Sequence, residues 1–155
     1  DRCRTPMPWE AGEAPNGFST VKPWLPVKPP HSRLSVEDQE RDPESMLNFY
    51  RRFIAFRKAN PALIDGRIDF VATDEPVLAF RRTGVAQSLL CVFNLSARRV
   101  RTTLDHIGSP AEGPVFAGNA ALKGTRLDLE ANGFAFFAGS ADSRAGVQFK
   151  RRTKS

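Results

Sequence analysis

Arginines and tryptophans crowd the start of the chain: Arg2 and Arg4, then Trp9, then Trp24 between Pro23 and Pro26. A guanidinium is a planar fork of fixed donors, suited to holding ring hydroxyls and a carboxylate at once. The indole rings, with Phe18, could line an entrance to a site, but they read more simply as anchors that pin the surrounding loop by burial. A second group is acidic: Glu37, Asp38, Glu40, Asp42 and Glu44. These carboxylates stand around a helix entrance, where capping and the helix dipole already account for acidic side chains. His31 and His106 have no nucleophile or second ligand near them in sequence, so neither reads as catalytic. Cys3 and Cys91 show no CxxC pattern and no histidine at metal spacing, so no metal site is expected. Cys91 lies in an apolar run and reads as a small core hydrophobe.

The elements that must position these residues differ along the chain. Residues 1–26 show neither helical nor strand periodicity. Their prolines fix φ and remove donors, which excludes a regular helix or a central strand. Two tryptophans argue against disorder, so the segment reads as a long ordered loop of functional use. Ser35, with Asp38 three residues on, predicts a short helical turn. A longer helix is expected over 42–60, with Asp42 as N-cap, Pro43 at its first position and Asn60-Pro61 as its stop. Met46, Phe49, Tyr50, Phe53, Ile54 and Phe56 form its apolar stripe, which should pack inward.

From Gly66 the period becomes two. Segments 67–73, 77–82, 88–94, 98–104, 115–117, 125–129 and 134–138 read as strands, and turn signals such as Asn94-Leu95-Ser96, Lys123-Gly124 and Asn132-Gly133 separate them. Such spacing predicts an antiparallel sandwich. Its inward residues would be Leu78, Phe80, Leu89, Cys91, Phe93, Leu127, Leu129, Phe134 and Phe136.

The run Cys3-Arg4-Thr5-Pro6-Met7-Pro8-Trp9, followed by Asn16-Gly17-Phe18 and Pro23-Trp24, resembles the loop before the last barrel helix of glycoside hydrolase family 13, the α-amylase family. It is most similar to the α-glucosidase and oligo-1,6-glucosidase branch. The match continues through Val36–Gln39 and Asp42–Ser45 into Tyr50–Arg52 and Arg57–Leu63. It is strong over residues 1–66 and looser over 67–139.

The resemblance implies an α+β chain: the last loop and helix of a (β/α)8 barrel over 1–65, an antiparallel β-sandwich C-terminal domain over 66–140, and a basic disordered tail over 141–155. It also implies that an arginine of the loop holds the non-reducing sugar. The family motif reads Arg-Asp-x-x-Arg-Thr-Pro. Asp1, Arg4, Thr5 and Pro6 match it, and its earlier arginine falls before Asp1. The resemblance leaves open which of the two arginines holds the sugar; within this chain Arg4 is the expected substrate-binding residue, a structural ion pair being its other possible role. Arg2 stands where a small or polar residue is usual and receives no role.

Retaining glycosidases cleave with two carboxyl groups about 5–5.5 Å apart. The family takes its catalytic carboxylates from barrel strands that precede this segment, so no catalytic residue is assigned here and the 155 residues alone are expected to be inactive. The implied parent is a hydrolase of terminal α-linked glucose on oligosaccharides. Sucrose isomerases and trehalose synthases share similar loops. A non-catalytic carbohydrate-binding β-sandwich is the reading from another class.

The remaining expectations come from composition. The formal charge is +6, of which residues 141–155 carry +4, so the basic character is largely a terminal arm and not a nucleic-acid face. No stretch approaches the length of a membrane-spanning helix, and no leader pattern opens the chain. The opening in mid-motif reads as that of a fragment. Sparse cysteine fits a reducing, cytoplasmic location. No cofactor, nucleic acid or membrane partner is expected, and an oligosaccharide is. Residues 1–65 on their own should fold poorly, because their apolar helix face calls for a covering layer.

Overall fold

A computed structural model describes residues 4–104 and 113–139. Asp1, Arg2, Cys3, His106, the Gly108-Ser109-Pro110 segment, which reads as a further turn between strands, and the basic tail lie outside the described residues. The chain divides into two compact units, Asp1–Ala55 and Phe56–Ser155. In chain order the elements are α1 (Pro29–Ser32), α2 (Val36–Arg41), α3 (Met46–Ala59), a 3-10 turn (Pro61–Leu63) and six strands. No described helix is long and apolar enough to cross a membrane.

Ser35 caps α2 as its sequence predicts. Its Oγ accepts from the Asp38 N–H at 3.1 Å and pairs with the Asp38 carboxylate at 2.7 Å. The start of α3 differs from expectation, falling at Met46 instead of just after Asp42. The Asp42 side chain accepts from the Glu44 N–H at 2.9 Å, and the Asp42 carbonyl accepts from Ser45, which spends the Asp-Pro signal on a tight turn. Ser45 does the capping, its buried Oγ accepting from the Asn48 N–H at 3.2 Å. Asn48 in turn donates to the Gln39 and Asp42 carbonyls, both at 2.8 Å, and so closes the C-terminal end of α2. The α3 stripe departs from its expected burial: no residue of the helix is fully buried, and Met46, Tyr50 and Ile54 are exposed. The stripe is wider than the short α2 and the loop can cover within their own unit.

The strands are β1 (Arg67–Val71), β2 (Val77–Thr83), β3 (Ser88–Asn94), β4 (Val100–Thr103), β5 (Phe116–Lys123) and β6 (Arg126–Gly139). They hydrogen-bond into one antiparallel sheet of order β1-β2-β3-β6-β4, with β5 also on β6. The described residues hold six strands where the spacing suggested seven, because the last two expected segments are one strand of 14 residues. The Asn132-Gly133 turn signal is used inside it. Asn132 (φ 55°) and Asn119 (φ 52°) are left-handed, and the β5–β6 register shifts between Gly118 and Ala120. At this corner β6 changes partner, from β4 along residues 126–129 to β3 along 134–139. A Cβ on Gly133 would run into the Asn119 carbonyl oxygen and lie 3.0 Å from that of Glu130, so only glycine fits.

Asn94 locks the corner. It is 2% exposed and donates to the carbonyls of Arg98 (2.6 Å) and Glu130 (2.8 Å). Its Oδ1 accepts from the N–H and Oγ of Ser96 at 3.0 and 2.8 Å, making the expected turn at Asn94-Leu95-Ser96.

The two faces of the sheet differ in chemistry. One buries Ala79, Leu90, Val92, Leu104, Leu127, Leu129, Ala135 and Phe137. The other carries a cross-strand row Phe70, Phe80, Cys91, Phe136, Phe116, one residue per strand. Phe56 stacks on Phe116 at 4.7 Å and meets Phe136 edge-on at 5.3 Å. The expected inward set therefore splits: Leu78, Phe80, Leu89, Cys91, Phe93, Phe134 and Phe136 share the aromatic face by alternation, and Leu127 and Leu129 lie on the opposite one. One continuous strand keeps a single parity, whereas two separate strands would choose theirs independently. Cys91 is fully buried, and burial pushes its thiol up to about 12. Away from the aliphatic core, Asp128 receives Arg101 at 2.8 Å, with Arg99 and Arg126 at 3.4 and 3.5 Å. The Arg101 hydrogen bond holds its carboxyl below the ordinary range despite burial, and all three guanidinium charges add to the effect.

Candidate functional site

The site is built on the opening loop. Pro6 and Pro8 are buried, and the loop is tied to the start of α2 by backbone bonds: Val36 donates to the Pro8 carbonyl (2.9 Å) and Glu37 to that of Trp9 (3.0 Å). Glu37 completes the tie, its carboxylate accepting from the Ala11 N–H at 3.0 Å and pairing with Arg41. The Ala11 N–H, then the Arg41 charge, hold the Glu37 carboxyl below its ordinary value. The Val36 and Glu37 N–H groups are ones that the start of α2 would otherwise leave unpaired.

Asn16 is the centre of the loop. It is 2% exposed and left-handed (φ 53°), as is Gly17 after it (φ 70°). Its amide donates to the carbonyls of Glu10 and Gly12 at 3.2 and 2.8 Å, and its Oδ1 accepts from Ser32 at 3.1 Å. The Asn16 carbonyl accepts from both Trp9 and Glu10. The family motif includes Asn16-Gly17 but does not by itself reveal this role of Asn16. The Asn-Gly pair, a standard signal of left-handed backbone, would have pointed to it.

With Asn16 and the two prolines holding the loop, the aromatics are not its anchors. Trp9 is 51% exposed and Trp24 82%, and Phe18 is also exposed. Arg4, the expected substrate-binding residue, is exposed and places its guanidinium carbon 5.6 Å from the centre of the Trp24 ring. The loop thus brings Arg4 and Trp24 together across nineteen intervening residues. A separate open hollow of about 630 Å³ has Glu13, Arg33 and Asp38 in its wall, and neither Arg4 nor Trp24 lines it.

Four of the five acidic residues are engaged locally. Glu37 holds Ala11 and Arg41, Asp38 its cap, Glu40 pairs with Arg51 at 2.7 Å, and Asp42 makes its turn. Among the described residues, no group of three or more His, Cys, Asp or Glu side chains is arranged to hold a metal ion.

Comparison with known proteins decides what this loop is. The model of the alpha-amylase catalytic domain matches residues 1–66, the stretch that holds the Arg4 loop, α2 and α3. Residues 1–66 of the chain belong to the alpha-amylase family. Among its relatives in that family, a probable alpha-glucosidase of Rhizobium meliloti is 50% identical over 96 residues, 62% of this chain and 17% of the relative. An oligo-1,6-glucosidase of Halalkalibacterium halodurans is 33% identical over 134 residues, 86% of this chain and 22% of the relative. Among solved structures, the alpha-glucosyl transfer enzyme XgtA is 37% identical with a TM-score of 0.74, covering 88% of this chain and 25% of that one. The trehalulose synthase MutB of Pseudomonas mesoacidophila is 27% identical with a TM-score of 0.71, covering 87% and 25%. The chain spans about a fifth of the length of the curated alpha-amylase family relatives it matches.

Proposed function

We propose that this chain is the C-terminal part of a retaining α-glucosidase that releases terminal α-linked glucose from oligosaccharides in the cytoplasm. In this reading residues 1–65 supply the last loop and helix of the catalytic barrel, 66–140 a β-sandwich C-terminal domain, and 141–155 a solvated basic arm. The nucleophile and the acid/base carboxylate stand upstream of the chain, and the parent works by double displacement through a glycosyl-enzyme intermediate. Arg4 holds hydroxyls of the substrate with its fixed donors, a positioning task and not a bond-breaking one. The observation that carries this reading is the 50% identity to a probable alpha-glucosidase over 96 residues.

The test is to incubate the full-length gene product containing residues 1–155 with maltose, isomaltose and sucrose, and to separate the products. Free glucose is expected from at least one, with the 155-residue chain alone inactive and Arg4→Ala raising KM. Activity of the 155 residues by themselves would overturn the assignment.

A second reading, sucrose isomerisation, is favoured by the structural likeness to trehalulose and isomaltulose synthases. Rearranged disaccharides in place of free glucose would select it.

A further inference from the structure

We propose that Trp24, with Arg4 laid across its ring, is a stacking platform for a glucosyl ring of the substrate, an inference that rests on the α-glucoside reading above. Three observations on the loop carry it. Trp24 is 82% exposed, so its ring forgoes the burial for which tryptophan is normally used inside a fold. Its placement is nonetheless defined: Pro23 and Pro26 restrict the backbone on either side, and the Arg4 guanidinium sits 5.6 Å from the ring centroid. Trp9, the tryptophan nearer the start of the loop, is the less exposed of the two, at 51%, and its backbone is bonded to Asn16 and to Glu37.

The chemistry fits a pyranose. A glucose ring with equatorial hydroxyls turns axial C–H groups outward on its two faces, and these pack on an indole face whose quadrupole is negative. The hydroxyls project at the ring edge, where a guanidinium meets them. A ring already oriented by a cation loses little freedom when a sugar lands on it, so more of the stacking energy appears as affinity.

The experiment uses the full-length gene product and a sulfur-linked maltose analogue, which binds without being hydrolysed. Its Kd is read by calorimetry for the wild type, Trp24→Ala, Trp24→Leu, Trp24→Phe and Trp9→Phe, with unfolding midpoints measured alongside. The expected result is binding roughly three- to tenfold weaker in Trp24→Ala and Trp24→Leu, largely restored in Trp24→Phe, and unchanged in Trp9→Phe. Equal affinity in Trp24→Ala, or Trp24→Leu binding as well as Trp24→Phe, would overturn the platform. So would absence of binding in the wild type. Binding that depends on Trp24 in a protein that releases no glucose from maltose, isomaltose or sucrose would leave the platform standing and remove the proposed hydrolysis.

Discussion

Replacing Asn94 by alanine removes the side chain that holds the β6 corner, and its cost follows from the bonds counted there. The amide donates at 2.6 and 2.8 Å to Arg98 and Glu130, and its oxygen accepts at 3.0 and 2.8 Å from Ser96. A net contribution of about 1 kcal/mol per bond would set the loss near 4 kcal/mol. Arg98 and Glu130 are exposed, so water reaches part of the vacated space and the expected loss is about 2–3 kcal/mol. Asn94→Asp asks a sharper question. Its carboxylate would face the carbonyl oxygens of Arg98, Leu129 and Glu130, so folding should favour the protonated form and raise its pKa. A folded pKa above the unfolded one means that stability is intact below the unfolded value and is lost as pH rises through the folded value. The aspartate variant should therefore approach the wild type in acid and fall below the alanine variant near neutrality. Urea unfolding followed by circular dichroism, with midpoints and slopes for all three proteins, measures this. An alanine variant within about 0.5 kcal/mol of the wild type, or an aspartate deficit that ignores pH, would refute the argument.

Three further outcomes are expected. Glu37 has a folded pKa held below its ordinary 4.5 by the Ala11 N–H and then Arg41, so its contribution is present above the unfolded value and lost as pH falls through the folded one. NMR shifts of residues 8–11 should move through that acid range, and Glu37→Gln should abolish the movement. Gly133→Ala forces a Cβ against backbone oxygens that cannot yield and should cost about 1–3 kcal/mol in thermal unfolding, and a neutral result would show that the corner relaxes. Cys91, with its thiol pushed up to about 12, should resist iodoacetamide at neutral pH in a Cys3→Ser background and react once urea is added.

How much of this was legible in the sequence depended on whether local chemistry had one use or two. Ser35 and Asp38 had one, and the cap of α2 sits where they place it. Asp42-Pro43 had two, a helix start and a tight turn. Ser45 won the cap because its hydroxyl also reaches the Gln39 carbonyl at 2.6 Å, which no feature of the local sequence advertises. Strand β5 was read as three residues and has eight, because Gly118-Asn119-Ala120-Ala121 has little strand propensity of its own and is held by pairing with β6. In β3 nearly every residue is buried on either face, so alternation could not say which face held which core. Arg4 was legible as a candidate, and its seat over Trp24 was not, since cation and ring are brought together by loop closure.

The exposed residues are the more informative ones for function. Glu37, Asp38, Glu40 and Asp42 each have a structural partner that accounts for their charge, so none needs a catalytic task to explain it. Arg4 over Trp24 contributes an exposed pair to a loop already held by Asn16, and Met46, Tyr50 and Ile54 leave an apolar stripe on α3 in solvent. A helix gains most of its stability from packing an apolar face, so a stripe left open at three successive turns is a poor solution for 155 residues acting alone. It is an ordinary one for a segment that completes a larger body. A positioning loop beside a helix awaiting its cover, with a sheet whose aliphatic core needs no outside help, is the division of labour that the proposed glucosidase would require.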